Sequence, residues 1–179
     1  MSGSRYVVVC MLVLAVGLGV SSPQASAQSS FGLGPYYFSN NAVSDVVGTG
    51  LSMTYRHRAK NNVSLEDCFV YSKSSGEIDG TMVHGEAYFG TMMVNLQPEM
   101  SLNKKGTSKA YVGIGAGHAK GNVYFESDTG SSVDHPTAFA WQAFAGVSLG
   151  RHLFAEGKYF NAGQDGLLNG SSLSLGMRF

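Results

Sequence analysis

The chain has 179 residues, with 12 Lys plus Arg balancing 12 Asp plus Glu, and only 13% of its residues are charged. A zero net charge excludes the phosphate neutralisation on which nucleic-acid binders depend, so no nucleic-acid partner is expected. Charge is at roughly half the one-quarter share usual in soluble domains. The 44% hydrophobic content nevertheless excludes disorder.

The first 27 residues read as a secretory signal peptide. Arg5 supplies a positive start, Val7 to Val20 is an unbroken apolar run, and Ala25-Ser26-Ala27 has the small-x-small pattern of a cleavage site. A membrane-spanning helix needs about 20 apolar residues. This run is shorter and ends close to Pro23. Residues 28–179 are then expected to form a single domain. Cys10 leaves with the signal, so Cys68 stands alone, and neither an intramolecular disulfide nor a Cys-rich metal site is expected.

Beyond Ala27 the apolar residues recur at spacing two, the period of strands, and no convincing amphipathic helix is predicted. Leu51, Met53 and Tyr55 alternate with Ser52, Thr54 and Arg56. Val112, Ile114 and Ala116 alternate with Gly113, Gly115 and Gly117, and Trp141, Ala143, Ala145 and Val147 with Gln142, Phe144 and Gly146. At the end, Leu173, Leu175, Met177 and Phe179 alternate with Ser174, Gly176 and Arg178. Eight strands are predicted, at 31–39, 47–57, 62–73, 80–96, 108–125, 136–150, 152–162 and 170–179. Asp67, beside Glu66, breaks alternation and suggests a bulge or a strand end. Four connections (Ser39–Asp45, Lys73–Gly80, Glu126–Pro136 and Asn161–Ser171) are rich in Asn, Ser, Gly and Asp, and they alternate with three others. An even number of strands with two kinds of connection predicts an all-β fold, an eight-stranded antiparallel up-and-down barrel.

A soluble barrel would put its apolar side chains inside, around a ligand; a membrane barrel puts them outside, around a polar interior. Here the faces opposite the apolar ones carry Arg56, Glu66, Gln142, Glu156, Lys158, Arg178, serines and glycines, which favours the transmembrane barrel. Glu66, Glu156, Lys158 and Arg178 are expected to point inward and pair, because isolated charges in a narrow lumen are costly. Leu51, Trp141, Val147, Leu175 and Met177 are expected to face outer-membrane lipids. Strands of about 9–11 residues fit eight times into this length, and sixteen do not, so a wide general porin is excluded.

The terminal Leu173-Ser-Leu-Gly-Met-Arg-Phe179 resembles the assembly signal of Gram-negative outer-membrane barrels. Tyr111-Val-Gly-Ile-Gly-Ala-Gly117, Trp141-Gln-Ala-Phe-Ala-Gly146 and the short turn into Leu153-Phe-Ala-Glu-Gly-Lys-Tyr159 resemble strands of the small OmpA-like and opacity-protein-like barrels. The resemblance implies outer-membrane localisation and recognition of Leu173, Leu175, Met177 and Phe179 by the barrel-assembly machinery. It implies a fold and not an activity.

Chemistry is sparse. Gly113, Gly115 and Gly117 are spaced by two and followed by no Lys-Ser/Thr, so they form no phosphate loop. His57, His84, His118, His135 and His152 lack metal-ligand spacing and read as rim and loop residues. A lipid A deacylase would put a His and a Ser two apart on one strand, and neither His118 nor His152 has that neighbour. No cofactor, metal or catalysis is expected. Acidic residues (Asp45, Glu77, Asp79, Glu126, Asp128, Asp134, Asp165) gather in the four long loops. Basic ones (Arg56, Arg58, Lys60, Lys104, Lys105, Lys109, Arg151) gather at the other end. An envelope structural or surface-interaction protein is expected, with an extracellular ligand possible at the acidic loops. A narrow channel and a lipid A-modifying enzyme remain as alternatives.

Overall fold

A computed structural model describes residues 28–59, 62–78, 80–163 and 166–179. The predicted signal peptide, and Lys60, Asp79 and Asp165 of the end-sorted charges, lie outside the described residues. The long strands are β1 (Gln28–Phe38), β2 (Thr49–Arg58), β3 (Val63–Ile78), β4 (Thr81–Leu96), β6 (Lys109–Ser127), β8 (Thr137–Leu149), β9 (Leu153–Ala162) and β10 (Gly170–Arg178). Two short strands, β5 (Glu99–Ser101) and β7 (Gly130–Asp134), both pair with β6. Each long strand is antiparallel to its neighbours in chain order, and β1 pairs with β10, closing an eight-stranded barrel. The seam ends in a reciprocal pair, Ser29 N to Phe179 O at 3.0 Å and Phe179 N to Ser29 O at 2.9 Å.

Alternation sorts the two faces. On β10, Leu173, Leu175 and Met177 point outward, and Ser172, Ser174 and Arg178 point inward and are buried. Leu51, Trp141 and Val147 are likewise exposed on the outer wall, with Ser52, Gln142 and Ser148 buried behind them. The outer wall is thus the apolar one, the inverse of a soluble barrel.

The structure differs from the sequence expectations at several places. Ser39–Asp45 leads into a helix, α1 (Asn41–Val47), so a short helix exists where none was predicted. Asn40 caps it, its side chain accepting from Val43 N at 3.4 Å, and Gly48 ends it at a positive φ of 68°. Lys73–Ile78 continues β3 as strand, and Gly130–Asp134 adds β7, because β3, β4 and β6 run 16, 16 and 19 residues and project past their neighbours. Arg56 is not at the rim but buried in the barrel. Asp67 marks neither bulge nor strand end: the β2–β3 register runs unbroken through Arg56–Glu66 and Tyr55–Asp67, so Asp67 points outward.

Parity gives a direct test. Leu175 is 67% exposed on the outer wall and Ser174 is 3% exposed inside. Leu175→Arg is expected to cost up to about 2–4 kcal/mol in refolding into liposomes. Ser174→Arg crowds the lumen opposite Glu156 and should instead disturb the barrel equally in thin and thick bilayers. Identical responses to bilayer thickness would contradict the assigned faces.

Candidate functional site

The lumen has two tiers. In the half nearer the termini, β2, β3 and β9 bring Arg56, Glu66, Glu156 and Lys158 into one buried cluster. Arg56 is the hub. Its Nε donates to Glu66 at 2.7 Å, while Nη1 and Nη2 fork onto Glu156 at 2.7 and 2.9 Å. Lys158 donates to Glu66 and lies 3.8 Å from Glu156. Two cations and two carboxylates cancel, and polar side chains take the remaining positions: Gln142 donates to Glu66 at 3.0 Å and to Asn95 at 2.7 Å, and Gln97 accepts from Arg56 at 3.2 Å. The Arg56 guanidinium also lies 4.4 Å from the centroid of the Phe144 ring. Gly115 is required here, since a Cβ at that position would overlap the Asn95 carboxamide.

The farther half is apolar. Tyr36, Phe38, Phe89 and Phe160 pack edge-on and stacked, with ring centroids 5.1 to 6.3 Å apart. Helix α1 lies over them, with Val43, Val46 and Val47 fully buried. A Cβ on Gly85 would press against Val46 and Val47, so glycine lets the helix seat. Ser72 Oγ donates to Val47 O at 2.6 Å, and Tyr36 OH to Leu168 O at 2.6 Å, tying helix and last loop to the wall.

Of the four charges expected to pair in the lumen, the structure brings Glu66, Glu156 and Lys158 together. Arg178 points inward but belongs to a second cluster at the terminal rim. There the Glu99 carboxylate receives Arg58, Lys109 at 2.9 Å and Arg178 at 3.5 Å. Burial works to raise the Glu99 pKa, but the hydrogen bonds from Arg58 and Lys109 and the surrounding cations outweigh it and lower it from 4.5 to about 2. Sequence reasoning placed Arg56 on the inner face without recognising it as the hub, and missed Glu99 as the centre of the rim. Alternation locates a side chain on a face, whereas these contacts join residues as far apart as 100 positions.

Serine–histidine contacts occur across strands and not along one. Ser75 Oγ lies 2.7 Å from His84 Nδ1, and Ser29 Oγ 3.1 Å from His57 Nδ1. His84 is also in register with Glu126. The Ser75–His84 row lies on the exposed surface of the projecting β3–β4–β6 sheet, where water screens a developing charge rather than being excluded from it. His118 is not a rim residue; it points outward from the middle of β6.

This fold is that of the small eight-stranded outer-membrane barrels. No family model and no curated protein matches the chain. Among solved structures it is similar to Ail, the attachment invasion locus protein of Yersinia pestis, at 18% identity and TM-score 0.51 over 87% of this chain and all of that one. It is also similar to the N-terminal β-barrel domain of Pseudomonas aeruginosa OprF, at 13% identity and TM-score 0.56, covering 86% of this chain and 97% of that one. Neisserial surface protein A is 16% identical at TM-score 0.50, over 85% and 94% of the two chains.

Two outcomes follow from the clusters. Arg56→Met leaves two buried carboxylates facing Lys158 alone and is expected to cost about 3–5 kcal/mol in urea unfolding from liposomes. Glu99→Gln removes stability that is present above the ordinary carboxylate pKa of 4.5 and fades as pH falls through about 2. The unfolding midpoints of wild type and Glu99→Gln should therefore differ at pH 7 and converge as pH falls from 4.5 to 2. A gap unchanged at pH 2 would contradict the rim assignment.

Proposed function

We propose that this chain is an exported outer-membrane β-barrel that acts at the cell surface as a structural or surface-interaction protein, without catalysis. The observation that carries this reading is the occupied lumen. Among the described residues, a desolvated four-charge cluster occupies one half and an aromatic layer under α1 the other, which opposes passage of solutes. The narrow-channel alternative would need both to open. With the lumen closed, recognition falls to the outer surfaces. The segments at the end away from the termini (α1, the projecting ends of β3 and β7, and the β6–β7 turn) carry Asp45, Glu77, Asp134 and Asp128, exposed to solvent. An acidic surface suits a divalent cation or a basic segment of a partner. It does not suit a sulfated polyanion of the kind seen with Ail, which has been solved with the heparin analogue sucrose octasulfate.

Phe179 connects the fold to its biogenesis. It lies at the seam that removes both sheet edges, and by its resemblance to an assembly signal it is read by the barrel-assembly machinery. Deleting Phe179, or replacing it with Asp, should leave export intact, lower outer-membrane insertion and raise periplasmic degradation. The wild type should fractionate with the outer membrane, migrate differently before and after boiling, and give no large steady conductance in planar bilayers. A soluble periplasmic wild type would overturn the barrel's membrane role, and a large steady conductance would overturn the closed lumen.

A further inference from the structure

Three ionisable side chains interrupt the apolar outer wall at one place. Asp67 on β3 and His118 and Lys120 on β6 all point outward, flanking β4. The registers are Asp67–Met92–His118 and Phe69–Gly90–Lys120, so Gly90 lies beside Lys120 and diagonal to Asp67 and His118, and leaves a bare backbone floor. A groove of about 440 Å³ opens there, with Met53, Phe69 and Met92 as its apolar walls. That volume is within the roughly 300–1,000 Å³ of ligand pockets.

Charge against hydrocarbon is expensive, and outward charges are retained where something meets them. Higher on the same wall, Lys73 and Glu86 answer one another at 3.6 Å. Asp67, His118 and Lys120 enter no such pair among the described residues. Their depths also differ. Asp67 is four residues from the termini-bearing end of β3, and Lys120 is eleven from that end of β6. The two nitrogen groups therefore lie toward the far interface, near the Tyr88–Tyr124 ring pair, and the carboxylate lies deeper in the wall.

We propose that this groove is a binding site for a phosphorylated, N-acylated glycolipid of the outer leaflet. Its phosphate sits on Lys120 and His118, an acyl chain crosses the bare floor at Gly90, and an amide N–H or hydroxyl donates to Asp67. The inference rests on the outer-membrane orientation proposed above. Charge complementarity selects this occupant: two donors at the interface fit an anionic headgroup, and one acceptor below fits the donors at the root of its chains.

The folded barrel in detergent micelles, given bisphosphorylated lipid A or its dephosphorylated form, tests the site by native mass spectrometry. Wild type is expected to retain the phosphorylated form at least about tenfold better, as loss of charge-assisted hydrogen bonds implies. Lys120→Gln combined with His118→Gln should abolish that preference. Gly90→Phe should lower retention of both forms by filling the floor. A Cβ at Gly90 meets nothing closer than Cys68 O at 3.9 Å, so this variant is compatible with the fold and keeps the test open if the double variant does not fold. Equal retention of both lipid forms by wild type would overturn the inference. So would an unchanged preference in the double variant, or a dimer of the chain that Gly90→Phe disrupts. Surface labelling of residues 39–48 on intact cells separates the two levels. Labelled loops with no phosphate preference sink this inference alone, whereas unreachable loops sink the orientation and the inference together.

Discussion

Hydrocarbon offers no hydrogen bonds, and this constraint organises the molecule. Every backbone N–H and C=O in a spanning strand must find its partner within the protein, so the sheet has to close. Closure puts the last residue beside the first strand, where Phe179 and Ser29 exchange backbone bonds. It also fixes the interior. Eight strands enclose a space that side chains just fill, so a charge that points inward has to be met by other inward residues. Arg56, forked onto Glu156 and also bonded to Glu66, is the consequence of placing charge in such a space.

An apolar interior throughout would bury surface at lower desolvation cost, yet it would make both faces of every strand alike. With a period of two, a one-residue slip exchanges the faces, and only a difference between them penalises the slip. The charged tier supplies that difference on β2, β3 and β9, because a shifted Glu66 or Lys158 would enter lipid. The apolar tier has no such need. Its strands are held by α1, whose buried valines seat against Gly85, and by the aromatic packing of Tyr36, Phe89 and Phe160. Register and closure of the mouth are thus assigned to different halves of one lumen.

The barrel was legible in the sequence because alternation acts residue by residue. Leu173, Leu175 and Met177 against Ser174 and Arg178 contain the wall and its direction, and strand ends emerged within a few residues for seven of the eight. The exceptions have physical causes. Val43, Val46 and Val47, with Asn40 before and Gly48 after, carry a helix signal of only seven residues, too short to stand out against Asn- and Ser-rich surroundings. The extension of β3 to Ile78 is polar on both sides because it leaves the membrane and needs no apolar face. Asp67 looked like an interruption because a charge on a lipid wall violates the pattern. The backbone continues regardless, and the violation belongs to the side chain. The partners of Arg56 and Glu99 were not legible, since pairing across the lumen depends on barrel closure and not on sequence spacing.

The solved barrels reported above share 13–18% identity with this chain, and the same physics accounts for the gap. What the fold demands is an alternation of apolar and polar classes, glycine at a few close approaches, and neutral bookkeeping of charge inside. Leu exchanges with Val or Met on the wall, and one paired cluster with another in the lumen, without loss of architecture. Identity therefore decays while the barrel persists, and the fold carries no activity with it. Because the interior is committed to closure and register, what distinguishes this chain from its structural neighbours has to reside where those demands relax. Those places are the projecting acidic strands and loops, the cationic rim around Glu99, and the few outward positions where a polar side chain replaces an apolar one.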